Sequence, residues 1–195
     1  DGLAMLPPAL RQRLQVTQQC RPEDLEAVRA RYSSHDIPAE LGTYFENMAG
    51  RLADAHLFIG RAGASTIAEL TAVGRPAILI PLPIATDDHQ AANTREMVKA
   101  GGARMVRQDS FTAKELAKQI KAIADSPEGL GKAAHAAFNC GRPNAVQDLA
   151  DLVESFGGAE MMDVIRVGAN NARGASQGVA AGQGAARDMQ ERSKP

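Results

Sequence analysis

The sequence predicts an α/β protein built around a parallel sheet. From about Ala9 to Phe156, short β-type runs alternate with longer stretches of helical periodicity, which is the pattern of repeated strand and helix units. A chain of 195 residues with 44% hydrophobic and 23% charged residues has the composition of a globular protein. From about Gly168 to Pro195 there is no Leu, Ile or Phe. We expect a disordered tail there, because such a segment has little apolar surface to bury.

Strands are predicted where short apolar or β-branched runs are bounded by turn residues. The candidates are Leu14 to Gln18, Ala39 to Thr43, His56 to Gly60, Ala77 to Pro81 and Arg104 to Gln108. Helices between them carry start signals, which are Pro22, Thr66 with Glu69, Thr112 with Glu115, and Pro143. Gly74 and Gly101 end two helices, as glycine does in the left-handed conformation. Three final helices are predicted at about Thr112 to Asp125, Glu128 to Phe138 and Pro143 to Phe156.

The balance of charges and cysteines excludes several classes of protein. The formal net charge is -1, so the chain has no overall field to attract nucleic acid or an anionic membrane surface. Cys20 and Cys140 are far apart and lack metal-ligand spacing, which argues against a disulfide framework and a zinc site. We find no apolar run long enough to span a bilayer and no signal-peptide pattern at the N-terminus.

The first informative stretch runs from His56 to Glu69, as an apolar strand, a turn of small residues and a helix. In open α/β sheets ligands bind at the carboxyl ends of strands, where helix N-termini present unpaired N–H groups. Gly60 and Gly63 let a ligand approach the backbone closely, and Arg61 adds a positive charge. The backbone amides expected to face an anion are those of Ala64, Ser65 and Thr66.

The same turn has a second interpretation, as an ordinary connection between a strand and a helix. It lacks the Gly-Lys-Ser/Thr of a Walker A loop and the third glycine of a dinucleotide fingerprint. Thr66 and Glu69 have the spacing of a capping box, in which the glutamate satisfies a backbone amide. As a ligand group, Glu69 would instead accept hydrogen bonds from two vicinal ribose hydroxyls. The surroundings of the Glu69 carboxylate therefore separate the two interpretations.

A second polar stretch, Pro81 to Asn93, follows the next predicted strand. Its prolines favour a rigid shelf, and His89, Gln90 and Asn93 lie along the first turns of the following helix. Neutral donors and acceptors of this kind suit sugar hydroxyls. The alternative is a solvated surface in which an aspartate caps the helix. The capping candidates are Asp87 and Asp88.

A metal site formed by Asp87, Asp88 and His89 is not favoured. Carboxylates and imidazole are metal ligands, but these three are adjacent and the sequence offers no distant partner. We therefore expect no metal and no cofactor.

Several of these segments form a compound motif that is far more specific than its parts. They are Gly60 to Leu70, Gly74 to Pro83, and Asp88-His89-Gln90-x-x-Asn93. Together they resemble the MurG family of bacterial peptidoglycan enzymes, and the resemblance extends from about Leu14 to Phe156. A looser match, Tyr44 to Met48, is similar to the Phe-x-x-x-Met segment of that family.

The resemblance implies a role for each candidate site residue. Glu69 would bind the ribose hydroxyls. On physical grounds, apart from the resemblance, the charge of Arg61 can help to hold the departing diphosphate. The amides near the diphosphate and sugar would be those of Ala64, Ser65 and Thr66. The side chains holding the N-acetylglucosamine hydroxyls would be His89, Gln90 and Asn93. The groups facing the uracil would be the backbone of Phe45 and the side chain of Met48.

The resemblance also implies a fold and a division into domains. The family has the two-domain GT-B glycosyltransferase fold, with a Rossmann-like parallel sheet in each domain. Residues 1–158 would form the C-terminal, donor-nucleotide domain, incomplete at its start, and residues 159–195 would form the tail. We expect the acceptor domain, and the first donor-domain strand with its glycine loop, to lie outside this sequence.

The activity implied is inverting hexosyl transfer in peptidoglycan and cell-wall synthesis, and so in cell shape and division. N-acetylglucosamine would move from UDP-N-acetylglucosamine to lipid I, giving lipid II. The catalytic base would lie on the acceptor domain, so the isolated chain would be nearly inactive. The enzyme would work in the bacterial cytoplasm as a peripheral protein at the inner membrane, with no nucleic-acid partner. Two alternatives stay open, which are a non-catalytic nucleotide-sugar binding module and another GT-B enzyme such as a UDP-N-acetylglucosamine 2-epimerase.

Overall fold

The structure is a computed structural model, and it describes residues 1–83 and 89–156. The tail predicted from about Gly168 lies outside these ranges. Asp87 and Asp88, the residues of the helix-capping and metal alternatives, also lie outside them.

Helices make up most of the described chain. In order they are α1 (Pro8–Arg11), α2 (Leu25–Ser33), α3 (Met48–Asp54), α4 (Ala64–Ala72), α5 (His89–Ala100), α6 (Ala113–Ala124), α7 (Pro127–Asn139) and α8 (Ala145–Phe156). Short 3₁₀ turns lie at Leu3–Met5 and Pro22–Asp24. The three final helices expected from the sequence are confirmed, with ends shifted by one or two residues.

The strands pair in parallel, as the sequence predicts. They are β1 (Val16–Gln19), β2 (Ala39–Gly42), β3 (Phe58–Gly60), β4 (Ala77–Leu79) and β5 (Ala103–Met105). β1 pairs with β2, and the other strands form a sheet of order β3-β4-β5. In the register of this sheet Gly60 lies opposite Leu79, and Leu79 lies opposite Met105. All three strands therefore end at the same edge.

The strands are shorter than the apolar runs suggested. The run from Ala77 was expected to extend to Pro81, but β4 ends at Leu79. Pairing stops soon afterwards, with Ile80 N donating to Gly60 O at 2.8 Å, because proline has no N–H to continue the ladder. The predicted strand at Arg104 to Gln108 is likewise shorter, because its pairing ends when Val106 N donates to Leu79 O at 2.9 Å.

The helix start signals are right at α6 and wrong at α4. Thr112 caps α6, since its side chain accepts from Glu115 N at 3.1 Å. The capping box expected at Thr66 and Glu69 is wrong. α4 begins at Ala64, with Gly63 as the N-cap and no side-chain cap hydrogen bond. The helix begins earlier, within the turn of small residues, than the Thr-x-x-Glu spacing predicted.

The left-handed glycines are confirmed at both predicted helix ends. Gly74 follows α4 with φ 64°, and Gly101 follows α5 with φ 88°. A side chain with a Cβ adopts this conformation only with strain, which is why glycine ends these helices.

The central strand β4 divides the core into two faces. Ala77 and Leu79 belong to a buried cluster with Leu70 and Met97, which come from α4 and α5. The alternate residues Ile78 and Ile80 belong to a second cluster on the opposite face. The other buried members of that cluster are Leu6, Val106 and Ile120. Burial on both faces is typical of a strand in a parallel sheet covered by crossover helices.

The described chain divides into two units. Residues 1–142 carry β1 to β5 and α1 to α7, and the second unit begins at Pro143 and includes α8. Within the described ranges, no helix has both the length and the apolar character to cross a bilayer.

The close approach of α7 to the start of β5 makes Gly102 sensitive to substitution. A Cβ added at Gly102 would lie 2.7 Å from the Cα and N atoms of Ala137, which are backbone atoms that cannot rotate away. We expect Gly102→Ala to lower the free energy of unfolding by about 1 to 3 kcal/mol, as overpacking does. Urea unfolding followed by circular dichroism measures this.

The matched control is Gly131→Ala in α7, where nothing lies within 4 Å of an added Cβ. Alanine in a helix interior should raise the free energy of unfolding by about 0.5 to 1 kcal/mol. Equal stability of the Gly102→Ala variant and the parent chain would contradict the packing of α7.

Candidate functional site

The turn between β3 and α4 presents unpaired backbone amides at the edge where the strands end. The first intrahelical bond of α4 is donated by Ile67 N to Gly63 O at 3.0 Å. The three preceding N–H groups donate to no carbonyl of the described chain, and they are those of Ala64, Ser65 and Thr66. Ala64 and Ser65 are exposed. With the helix dipole behind them, these amides form a surface that favours an anion.

Glu69 lies one turn further along α4. It is exposed, and its carboxylate accepts no hydrogen bond from the described residues. Ser65 and Glu69 are four residues apart and therefore share a face of the helix. The carboxylate thus lies behind the unpaired amides as an acceptor with no structural partner there, which removes the capping interpretation.

Arg61 joins the ends of neighbouring strands. Its Nη1 donates to Ile80 O at 3.2 Å and Pro81 O at 3.4 Å, and its Nη2 donates to Gln108 Oε1 at 2.8 Å. All of these acceptors are neutral, so none of them carries a charge that offsets that of the guanidinium. No carboxylate within residues 1–83 and 89–156 forms an ion pair with it. The sequence predicted the charge of Arg61 at this turn but not its bonds to the neighbouring strands.

Gln90 and Asn93 brace the same turn from α5. Gln90 Oε1 accepts from Leu82 N at 3.0 Å and from Ala62 N at 3.4 Å. Asn93 Nδ2 donates to Ala62 O at 3.1 Å. Neither Gln90 Nε2 nor Asn93 Oδ1 bonds to another residue of the described chain. The two amides therefore support the backbone with one atom and retain the other. His89, which opens α5, is exposed.

The base segment, which is the stretch from Tyr44 to Met48 predicted to face the uracil, lies between β2 and the first residue of α3. Met48 begins α3 and is 40% exposed, and Tyr44 is 75% exposed. Asn47 caps the helix in the left-handed conformation, with φ 52°, and its side chain accepts from Gly50 N at 3.2 Å. Leu52 of α3 joins the core cluster that contains Ala62 of the turn. The structure therefore packs both site segments onto one core.

Sequence reasoning missed an ion pair beneath this segment. Arg51 forms a two-pronged contact with Glu40, with Nη1 to Oε2 at 2.8 Å and Nη2 to Oε1 at 2.9 Å. Hydrogen bonding to Arg51 lowers the pKa of the Glu40 carboxyl from its ordinary value. Arg51 also lies over the Phe45 ring, 4.5 Å from its centroid. No local signal reveals this pair, because its members come from a strand and a helix.

Arg75 fixes the other end of α3. Its Nε donates to Leu52 O at 2.7 Å and its Nη2 donates to Ala53 O at 2.6 Å, so a cation occupies the C-terminus of the helix. Desolvation by burial lowers the pKa of this guanidinium, and the nearby Asp54 opposes that shift.

A cavity of about 290 Å³ lies at the same edge of the sheet. Its walls come from the segment after β4, the start of α5 and the segment after β5. The residues that line it are Pro81, Leu82, Pro83, Ala91, Met105, Arg107, Gln108 and Asp109. The edge thus offers room for a ligand beyond the turn itself.

Possible metal ligands do not form a cluster in the part of the chain that the structure describes. No group of three or more His, Cys, Asp or Glu side chains is arranged there to hold a metal ion. Cys20 is buried and Cys140 is half-buried, and neither forms a disulfide.

Among the residues that the structure describes, a parallel α/β layer carries unpaired helix amides, a carboxylate without a partner and amide side chains at its carboxyl edge. These features define a candidate nucleotide-binding domain. The family model described as "Glycosyltransferase family 28 C-terminal domain" matches residues 5–153. The chain belongs to this family.

Curated relatives share most of this sequence. Two are named UDP-N-acetylglucosamine--N-acetylmuramyl-(pentapeptide) pyrophosphoryl-undecaprenol N-acetylglucosamine transferase. The protein of Erythrobacter litoralis is 81% identical over 191 residues, which cover 98% of this chain and 48% of that protein. The protein of Novosphingobium aromaticivorans is 80% identical over 167 residues, which cover 86% of this chain and 43% of that protein. The chain thus spans about half the length of the relatives that it matches.

A solved structure confirms the predicted fold class. The chain is similar to MurG of Acinetobacter baumannii with a TM-score of 0.68 and 30% identity, over 79% of this chain and 48% of that one. The Rossmann-like, GT-B type of domain and the resemblance to the MurG family are both confirmed. The roles of the individual site residues stay predictions.

The bracing by Gln90 predicts a stability cost when its acceptor is removed. Gln90→Met keeps the length of the side chain but leaves the N–H of Ala62, a residue with 0% exposure, without its acceptor. We expect the free energy of unfolding to fall by about 1 to 3 kcal/mol, the cost of an unsatisfied buried amide. Denaturant unfolding measures it.

Gln147→Met in α8 is the control, because its bond to Asp151 Oδ1 at 2.8 Å is exposed. That variant should lie within about 0.5 kcal/mol of the parent chain. A similar small effect at Gln90 would argue against the bracing role.

Proposed function

We propose that this chain supplies the donor-binding half of an inverting N-acetylglucosaminyltransferase. The donor is UDP-N-acetylglucosamine, the acceptor is lipid I and the product is lipid II of peptidoglycan synthesis. One observation carries the proposal, which is that the Glu69 carboxylate accepts no hydrogen bond from residues 1–83 and 89–156 and lies one helical turn beyond the amides of α4 that are unpaired there. The names of the relatives support it, since they specify N-acetylglucosamine transfer to an undecaprenol-linked muramyl pentapeptide.

The nucleotide is held by α4 in this proposal. Glu69 accepts from the two vicinal ribose hydroxyls, since a carboxylate is an acceptor with two oxygens. The diphosphate lies at the amides of Ala64, Ser65 and Thr66. Their dipoles, with the positive charge of Arg61, stabilise the negative charge that develops on UDP as the sugar leaves.

The sugar is read by α5. Gln90 Nε2 donates to one N-acetylglucosamine hydroxyl and Asn93 Oδ1 accepts from another, while their remaining atoms hold the turn in place. His89, in the same first turn of α5, contacts the sugar from its exposed position. These contacts select the arrangement of hydroxyls on the sugar.

The uracil lies against the segment between β2 and α3. The backbone of Phe45 reads the polar edge of the base, and the half-exposed thioether of Met48 covers its apolar face. This placement leaves the base on the β2 side of the domain and the sugar on the β4 side.

The acceptor half of the reaction belongs to a domain outside this sequence. An inverting transfer needs a base for the acceptor hydroxyl, and the groups assigned above only bind the donor and hold the leaving group. In this proposal the second domain carries the base and binds lipid I. The enzyme acts as a peripheral protein on the cytoplasmic face of the bacterial inner membrane.

Replacing Glu69 tests the donor site directly. We expect Glu69→Gln to weaken binding of UDP-N-acetylglucosamine by roughly 10- to 150-fold, because a hydrogen bond to a charged group contributes about 1.5 to 3 kcal/mol. Calorimetric titration of the full 195-residue chain measures this.

Glu96→Gln on the exposed side of α5 is the matched control and should leave the affinity unchanged. UDP-N-acetylgalactosamine, the sugar epimer, should bind the parent chain more weakly. A folded chain that binds no donor would refute the donor site, whereas binding unaffected by Glu69→Gln would refute only the ribose contact.

The division of labour between domains has its own test. We expect the 195-residue chain to bind UDP-N-acetylglucosamine but to transfer no sugar to lipid I. A radiolabelled-donor assay with extraction of the lipid product measures transfer. Robust transfer by this chain alone would show that the base lies within it.

A further inference from the structure

The segment between β2 and α3 is held by contacts on both of its flanks. The Phe45 ring faces the Arg51 guanidinium, whose Cζ is 4.5 Å from the ring centroid. The edge of the ring packs on Gly42, where an added Cβ would come within 3.1 Å of ring atoms. The Thr43 carbonyl accepts from Gln19 Nε2 at 3.0 Å. The half-buried aromatic ring is therefore occupied by contacts with Gly42 and Arg51.

Arg51 uses all sides of its guanidinium in this region. Beside the two-pronged contact with Glu40, its Nε donates to the Glu46 carbonyl at 3.3 Å. A planar guanidinium makes such forked bonds in one orientation while it stacks on a ring. One side chain thus joins β2, the base segment and α3.

These contacts fix the backbone of the base segment, in which the polar groups of Phe45 remain available to a ligand. Two nearby carbonyls have partners, since Thr43 O, two residues before Phe45, bonds to Gln19 and Glu46 O, one residue after it, bonds to Arg51. The N–H and C=O of Phe45 itself bond to no other residue of the described chain. A fixed donor beside a fixed acceptor distinguishes uracil from cytosine, because the two bases reverse donor and acceptor at ring positions 3 and 4.

We propose that Arg51, anchored by Glu40, is the positioning residue that sets base selectivity at this site. It touches no proposed ligand and acts by holding the Phe45 backbone in place. This inference rests on the proposed function, because it assumes that the Phe45 backbone meets the base. Arg51 is a specificity determinant that the resemblance to the MurG family does not assign.

The exposure of the ion pair allows selectivity to be separated from folding. The side chains of Arg51 and Glu40 are 35% and 56% exposed. Ion pairs at such positions contribute little to global stability. Substitution of Arg51 should therefore loosen the base segment while the α/β core stays folded.

The experiment compares UDP with CDP by calorimetric titration of the full 195-residue chain. We expect the parent chain to prefer UDP, and Arg51→Ala to reduce the UDP-to-CDP affinity ratio by about three- to tenfold, the equivalent of one neutral hydrogen bond. Arg51→Lys keeps the charge without the planar fork and should fall between the two. Glu40→Gln should reduce the ratio in the same direction.

Arg31→Ala is the matched control. Arg31 is 61% exposed and pairs with Asp1 at 2.6 Å rather than with a residue of the base segment, so its removal should leave the ratio unchanged. Weaker binding of UDP and CDP in equal proportion in Arg51→Ala would overturn the inference and leave the proposed function standing. A folded parent chain that binds no UDP would overturn both.

A second measurement tests the anchor without any nucleotide. Since Arg51 lowers the pKa of Glu40, NMR titration of the Glu40 carboxyl should show that pKa rising toward its ordinary value in Arg51→Ala. The NMR order parameters of the Tyr44 and Phe45 backbone amides should fall in the same variant, because the segment moves more once its anchor is removed. An unchanged Glu40 pKa together with unchanged order parameters would overturn the anchoring role.

Discussion

The guanidinium of Arg61 joins three chain segments that the sheet brings to one edge. β3, β4 and β5 run in parallel, so the turn after β3, the shelf after β4 and Gln108 after β5 meet there. A single cation with planar, fixed donors connects all of them. Carbonyl groups at the ends of parallel strands carry unshared lone pairs, and Arg61 satisfies two of them. The exposed surface of the site depends on this connection.

The core explains why this edge can be rigid although its strands are short. β4 spans only Ala77–Leu79, but its side chains are buried alternately in two clusters, one on each face. α4 and α5 pack on one of these faces and begin at the edge where the strands end. Burial of the sheet therefore fixes the positions of both helix N-termini. The polar groups on these N-termini are held in fixed positions as a result.

Features that depend on neighbouring residues, such as helix caps and helix ends, could be predicted from the sequence, whereas contacts between residues far apart in the chain could not. The cap at Thr112 and the left-handed glycines at positions 74 and 101 depend on neighbouring residues, and they were predicted. Thr66 and Glu69 have the same local spacing, which predicted a helix cap at Thr66. That prediction was wrong, because α4 already begins at Ala64 in the turn of small residues. The Arg51 to Glu40 contact joins different elements, so no window of sequence contains its cause.

The bracing by α5 also determines the polarity that the site presents. The carbonyl oxygen of Gln90 is occupied by backbone N–H groups, which settles the orientation of its amide and turns the NH₂ group outward. At Asn93 the NH₂ group is occupied, so the carbonyl oxygen is turned outward. One helix turn thus offers a donor beside an acceptor. A hydroxyl, which both gives and takes a hydrogen bond, matches this pair, whereas a carbonyl or an ammonium group satisfies only half of it.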